Sequence, residues 1–248
     1  MKKISLIILV IALPVFLFVS QVHAFPTLST FDSDSDGWIS FDNGTQPVIW
    51  NATGGNPDGH IRLLDKTTGW GYFQAPAKYL VDAEYGGGFS FDLKIVNSDP
   101  ITFPNIYNVR TALVGDGLFL INELAPPPST ASWSSYTFTL SETASSGWRS
   151  FSDLAQNYTT GAPLVTQAQF MGVLQNLTGV YIAGDYSDGY TDLASGIVDE
   201  AWIDHVQVDA AVPEPGTMVL FGIGLTGLIM YNIRRKKQRQ RKLVEIHA

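Results

Sequence analysis

Over short stretches in the middle of the chain, apolar and polar residues alternate. In Gly88–Ile95 the side chains of Phe89, Phe91, Leu93 and Ile95 share one face, with polar residues between them. The same period of two returns over Ser134–Leu140, where Tyr136, Phe138 and Leu140 are in step, and over Ile203–Val208. A period of two with one apolar face predicts a sheet packed on one side, hence an antiparallel sandwich and not a parallel α/β sheet. Gly, Pro, Asn and Asp punctuate the chain between runs rich in Phe, Tyr, Trp, Val, Ile and Thr, which is the pattern of short strands and frequent turns. One stretch changes period. From Val165 to Leu177, Phe170, Leu174 and Leu177 fall at helical spacing, with Thr166 as N-cap and Gly179 as stop. The expectation is one short helix lying across an end of the sandwich, with Pro126-Pro127-Pro128-Ser129 as a loop.

The two ends follow other rules. Lys2 and Lys3 precede the apolar run Ile4–Val19, and Val22-His23-Ala24 suits cleavage by a signal peptidase before Phe25. Residues 1–24 therefore read as a signal peptide. At the other end, residues 217–233 form an apolar stretch just long enough to span a bilayer as a single transmembrane helix, and a basic tail, 234–242, follows at once. Positive flanks stay in the cytoplasm, so the tail is expected inside and the middle of the chain outside.

Val212-Pro213-Glu214-Pro215-Gly216, the Gly-bearing apolar helix and the Arg/Lys cluster occur in fixed order. Together they resemble the PEP-CTERM sorting signal, with Pro213, Glu214 and Pro215 as its motif; the basic tail is longer than is usual there. The resemblance implies recognition by an exosortase in a Gram-negative bacterium, generally one that makes exopolysaccharide. It also implies a precursor held in the inner membrane and a product at the cell surface or in the extracellular matrix.

Between the ends, Trp50–Ile61, Tyr72–Leu80, Tyr85–Leu93, Trp133–Trp148 and Phe170–Ser187 resemble successive segments of the laminin B (domain IV, type A) module. Ile203-Asp204-His205-Val206 stands where that family has Leu-Asp-Asn-Val, with His205 replacing the usual Asn. The resemblance implies that residues 25–211 form a jelly-roll β-sandwich of the galactose-binding type. The family's pattern contains no catalytic residues.

Charge and composition narrow the function. Residues 25–211 hold six basic against 21 acidic residues, a net charge near −15, which argues against a nucleic-acid partner. The absence of cysteine excludes disulfides, thiolate metal sites and Cys nucleophiles. No G-x-S-x-G elbow accompanies His60 or His205, so the domain is read as non-catalytic. Asp32, Asp34 and Asp36, followed by Gly37, open like a Ca²⁺ loop, yet the twelfth position is Asn43 where an EF-hand needs Glu. Two readings stay open: a solvated acidic turn, or a structural Ca²⁺ site that Asp204 of the last strand would complete, with Asp199 and Glu200 near it in sequence. For ligand binding the six tryptophans are the candidates, Trp38, Trp50, Trp70, Trp133, Trp148 and Trp202. Trp70 and Trp148 sit beside Gly-rich turns and are expected to be the exposed pair. The function expected is adhesion or matrix interaction, with exopolysaccharide binding as the alternative and a polysaccharide-active hydrolase as a third reading.

Overall fold

The structure, a computed structural model, describes residues 26–41, 45–65, 71–81, 83–98, 105–154, 162–187, 194–209, 226–229, 231–232 and 235. The signal peptide, the Pro213-Glu214-Pro215 motif, most of the apolar stretch 217–233 and nearly all of the basic tail lie outside these residues. Residues 226–229 are helical, and among the described residues no helix is long and apolar enough to cross a membrane.

Residues Ala24–Ala211 form one compact unit built of two antiparallel sheets, the jelly-roll sandwich the sequence predicts. In the six-stranded sheet β10 (Ser134–Thr139) pairs with β7 (Gly88–Asn97), which pairs with β13 (Asp199–Asp209). The other side of β13 is shared. Its residues 200–203 pair with β5 (His60–Leu64), which carries β4 (Ile49–Asn51), and its residues 206–208 pair with β1 (Thr27–Ser29). The second sheet runs β11 (Arg149–Phe151), β9 (Leu118–Ala125), β8 (Val109–Gly115), β12 (Leu177–Ala183), β6 (Tyr72–Gln74), β2 (Ile39–Phe41) and β3 (Thr45–Pro47).

The alternation seen in the sequence becomes the core. Phe89, Phe91, Leu93 and Ile95 of β7 are buried with Tyr136, Phe138 and Leu140 from β10 and its end. Phe73, Leu113, Leu120, Val180 and Ile182 of the second sheet close over them. Phe91 stacks on Phe138 with ring centres 5.7 Å apart, so cross-strand neighbours fill the space between the sheets as a single layer.

β13 departs from simple alternation. Ile203, Val206 and Val208 all face the core although the first two are three residues apart. The phase change is a bulge between Asp204 and Gln207, where His205 takes a left-handed φ of 48°. Asn and His are among the side chains that adopt this conformation most readily, so His205 for Asn preserves the backbone turn.

Helix α1 (Gln167–Gln175) starts at Thr166 as predicted, and Thr166 and Gln169 form a reciprocal capping box. It ends sooner than the spacing suggests. Asn176 caps it, and Leu177 already belongs to β12, so the buried side chains are Phe170 and Val173.

Trp148 is not exposed. Gly147, at φ +80°, turns the chain so that the indole enters the core, where it is wholly buried against Phe138 and Phe170 and donates to the Thr139 carbonyl at 2.8 Å. The Ser-Ser-Gly turn therefore delivers the ring inward and does not display it. Deleting a buried indole removes its transfer energy and leaves a cavity, so Trp148→Ala should destabilise the domain by about 3–5 kcal/mol. Trp133→Ala, at a half-exposed position, should cost clearly less in the same urea titration.

Candidate ligand-binding face

The two outer faces of the sandwich differ. On the seven-stranded sheet Ala112, Ile121 and Phe151 form a second apolar cluster, packed against Phe119, Tyr181 and Leu154. The Leu154 carbonyl accepts from the Tyr72 hydroxyl at 2.7 Å and from Arg110 Nη2 at 2.8 Å, and Arg110 is buried against Glu123. Burial raises the Glu123 pKa, an effect the Arg110 charge partly offsets. Leu154 and Ala162, on either side of the undescribed residues 155–161, pack against this cluster.

The outer face of the six-stranded sheet is assembled from alternate residues of β5, β13 and β7. Ala201 and Ile203 point into the core, so Trp202 points outward, between Arg62 on β5 and Lys94 on β7. Its ring stacks on His60, with centres 4.6 Å apart and planes 24° from parallel. Trp133, just ahead of β10, meets His60 edge-on at 5.9 Å and lies 6.4 Å from Trp202. Polar groups fix each ring. Trp202 Nε1 donates to Glu200 at 2.9 Å, Glu200 receives Arg62 Nη1 at 2.9 and 3.1 Å, and Trp133 Nε1 donates to the Gly54 carbonyl at 3.3 Å. The Asn51 amide lies 3.4 Å from His60 Nε2, and the Lys94 ammonium sits 5.0 Å from the Trp202 ring centre. Both tryptophans remain partly exposed, whereas His60 is buried.

A loop, residues 52–59, borders this cluster. It is held by Asp204, which is fully buried and accepts from the Asn56 backbone N–H at 2.6 Å and the His205 N–H at 2.7 Å. The Asn56 side chain donates to Asp92 at 3.0 Å, and Ser135 donates to the other Asp92 oxygen. A Cβ on Gly55 would stand 2.7 Å from the Asp204 carboxylate, and one on Gly59 only 2.0 Å from the Phe31 carbonyl. Both close approaches require glycine.

The structure does not bring the acidic loop and Asp204 together as a metal site. Asp36 pairs with Lys78 and accepts from Ser29, Asp34 accepts from the Asp36 N–H at 2.7 Å, and Asp32 accepts from Thr30 at 2.7 Å. Asp204 is committed to Asn56 and His205. Among the described residues no group of three or more His, Cys, Asp or Glu side chains is placed to hold a metal ion. Of the two tryptophans singled out in the sequence, Trp148 is in the core and Trp70 lies outside the described residues. Trp50 is exposed on β4, apart from this cluster, its Nε1 donating to the Phe31 carbonyl at 2.7 Å. The clustered pair, Trp133 and Trp202, is signalled in the sequence by phase alone, each one residue out of step with its buried neighbours.

Residues 72–218 match the family model for laminin B (domain IV). The chain belongs to the laminin B family. Residues 211–236 match the PEP-CTERM protein-sorting motif, which marks this laminin B protein for export. The laminin subunit gamma-1 of Danio rerio is 26% identical over 196 residues, covering 76% of this chain; the chain spans about 10% of that protein. Among solved structures the L4b domain of human laminin alpha-2 superposes with a TM-score of 0.52 at 13% identity, covering 76% of this chain and 99% of that one. A family 11 carbohydrate-binding module of a Clostridium thermocellum cellulosomal cellulase gives a TM-score of 0.44 at 15% identity, covering 77% and 98%.

Burial lowers the His60 pKa below 6.5, and the Arg62 charge acts in the same direction. The unfolded chain thus binds this proton at higher pH than the folded one. Stability should fall as the pH drops from 6.5 toward the folded value, with no His60 contribution above that window. The buried carboxylates Asp199 and Asp204 are raised, burial being the leading cause, so they work in the opposite sense at lower pH. A His60→Gln variant shares them and isolates the histidine. Its deficit in denaturation midpoint relative to wild type should be largest near pH 7.5 and narrow by pH 5.5; a constant gap would contradict the assignment.

Proposed function

We propose that this exported laminin B domain is a non-catalytic interaction module that holds a saccharide on the outer face of its six-stranded sheet. The observation that supports the reading is the partly exposed Trp133–Trp202 pair on the buried His60, ringed by Arg62, Glu200, Lys94 and Asn51. A pyranose presents one apolar C–H face, which packs on the electron-rich face of an indole, and a rim of hydroxyls, which need donors and acceptors at the ring's edge. A guanidinium–carboxylate pair, an ammonium and an amide supply both kinds. Adhesion to the matrix is then a consequence of holding its polysaccharide. Affinity electrophoresis through gels containing the producing cell's exopolysaccharide tests this. Wild type should be retarded, and Trp202→Ala and Trp133→Ala, each checked for an intact melting transition, should lose about tenfold or more in affinity, or ~1.4 kcal/mol. Unchanged retardation of both folded variants would overturn the reading.

The sorting segment completes the proposal. Exosortase reads Pro213-Glu214-Pro215, and the mature protein loses the apolar helix and basic tail on its way to the cell surface or matrix. Proline restricts its own φ and biases the preceding residue toward extended backbone, the conformation that suits a segment read by a processing enzyme. Mass spectrometry of surface material should find a C-terminus before Arg234. Intact 234–242 on all of it would refute the processing step.

A further inference from the structure

The six basic residues within 25–211 are a small set in a strongly acidic domain, and five of them are described. Three serve the fold elsewhere. Arg110 is buried on Glu123, Lys78 pairs with Asp36, and Arg149 donates to the Ala162 carbonyl. The remaining two, Arg62 and Lys94, are the cross-strand neighbours on either side of Trp202. Arg62 engages Glu200 through Nη1, and its Nε is buried from solvent. Lys94 makes no ion pair with a carboxylate among the described residues; what its ammonium touches is the indole. Neighbouring strands are about 4.8 Å apart, so these two side chains start about 10 Å from each other across the tryptophan, roughly the span of two sugar units.

We infer that this face selects a pyranose carrying an anionic group, a carboxylate or a sulfate, packed against the Trp133–Trp202 pair with the anion on the Lys94 ammonium. The inference rests on the saccharide reading above and names its ligand class. A C5 carboxylate or an equatorial sulfate projects from the edge of the sugar ring, not from its stacked face. It therefore points along the sheet toward the flanking cations. The domain's net negative charge opposes any anion at long range, but at physiological ionic strength the Debye length is about 8 Å and distant carboxylates are screened. Of the nearby ones, Glu200 is neutralised by Arg62. Asp204 is buried behind residues 52–59, and Asp92 is occupied by Asn56 and Ser135. Lys94 is left without a carboxylate partner among the described residues, and a charge-assisted hydrogen bond to it is stronger than the same bond to a neutral hydroxyl.

The test measures retention of the exported protein on polygalacturonate, dextran sulfate and a neutral glucan, at low and at physiological salt. Wild type should hold at least one anionic polymer about tenfold more tightly than the glucan, or ~1.4 kcal/mol, with the preference shrinking as salt rises. Lys94→Gln should abolish the preference by lowering retention of the anionic polymer much more than that of the glucan, and Lys94→Arg should restore it. Polygalacturonate or dextran sulfate giving the stronger effect would identify carboxylate or sulfate as the source of the anion. Equal retention of anionic and neutral polymers, or an equal loss of both in Lys94→Gln, would overturn the inference and leave the saccharide reading standing. Retention of no polymer by wild type would overturn that reading itself.

Discussion

The buried carboxylate of Asp204 is the interaction on which the rest of the outer face of the six-stranded sheet depends. β13 must pair along one side with β7 and along the other with two different strands, β5 first and then β1. The changeover falls at the bulge, where His205 turns left-handed and the ladder hydrogen bonds are interrupted. A buried backbone N–H freed there would cost free energy comparable to a lost hydrogen bond. Asp204 satisfies the His205 N–H with one oxygen and the Asn56 N–H with the other, so one side chain repairs the strand and fastens the neighbouring loop. From that loop the Gly54 carbonyl holds Trp133. The bulge, the loop and the aromatic cluster are thus one construction.

This dependence explains what was legible in the sequence. β7 and β10 announce themselves because their pairing is regular and their phase never slips, so Phe89 to Ile95 and Tyr136 to Leu140 face inward as alternation requires. Thr166 announces α1 because a capping box is a local transaction among four residues. The bulge in β13 is not local. Ile203, Val206 and Val208 make sense only once β1 and β5 divide one side of the strand, which depends on residues about 140 to 180 positions earlier. Trp148 fails for a related reason: Gly147 predicts a turn but not the direction in which the next side chain leaves it. The acidic run Asp32–Asp36 has the spacing of a cation loop, yet Lys78, Thr30 and the loop's own backbone supply the donors.

Rigidity separates the observed cluster from a tryptophan carried on a flexible turn. Binding through a mobile ring loses rotamer freedom of about 0.5–1.5 kcal/mol for each side chain ordered. Here Trp202 is held by a hydrogen bond to Glu200 and by the His60 stack, and Trp133 by its bond to Gly54. The ordering has already been accomplished in folding, by Glu200 and His60 on strands and by the Gly54 carbonyl of the loop that Asp204 fastens. His60 is central to this because it is buried and neutral above its lowered pKa. A neutral imidazole stacks on an indole without adding a third positive charge between Arg62 and Lys94, so the two cations at the rim keep their separate environments, one paired with Glu200 and one over the Trp202 ring. The same burial that makes the histidine a poor titrating group at neutral pH therefore makes it a good spacer, and the face keeps its charge pattern across the neutral pH range.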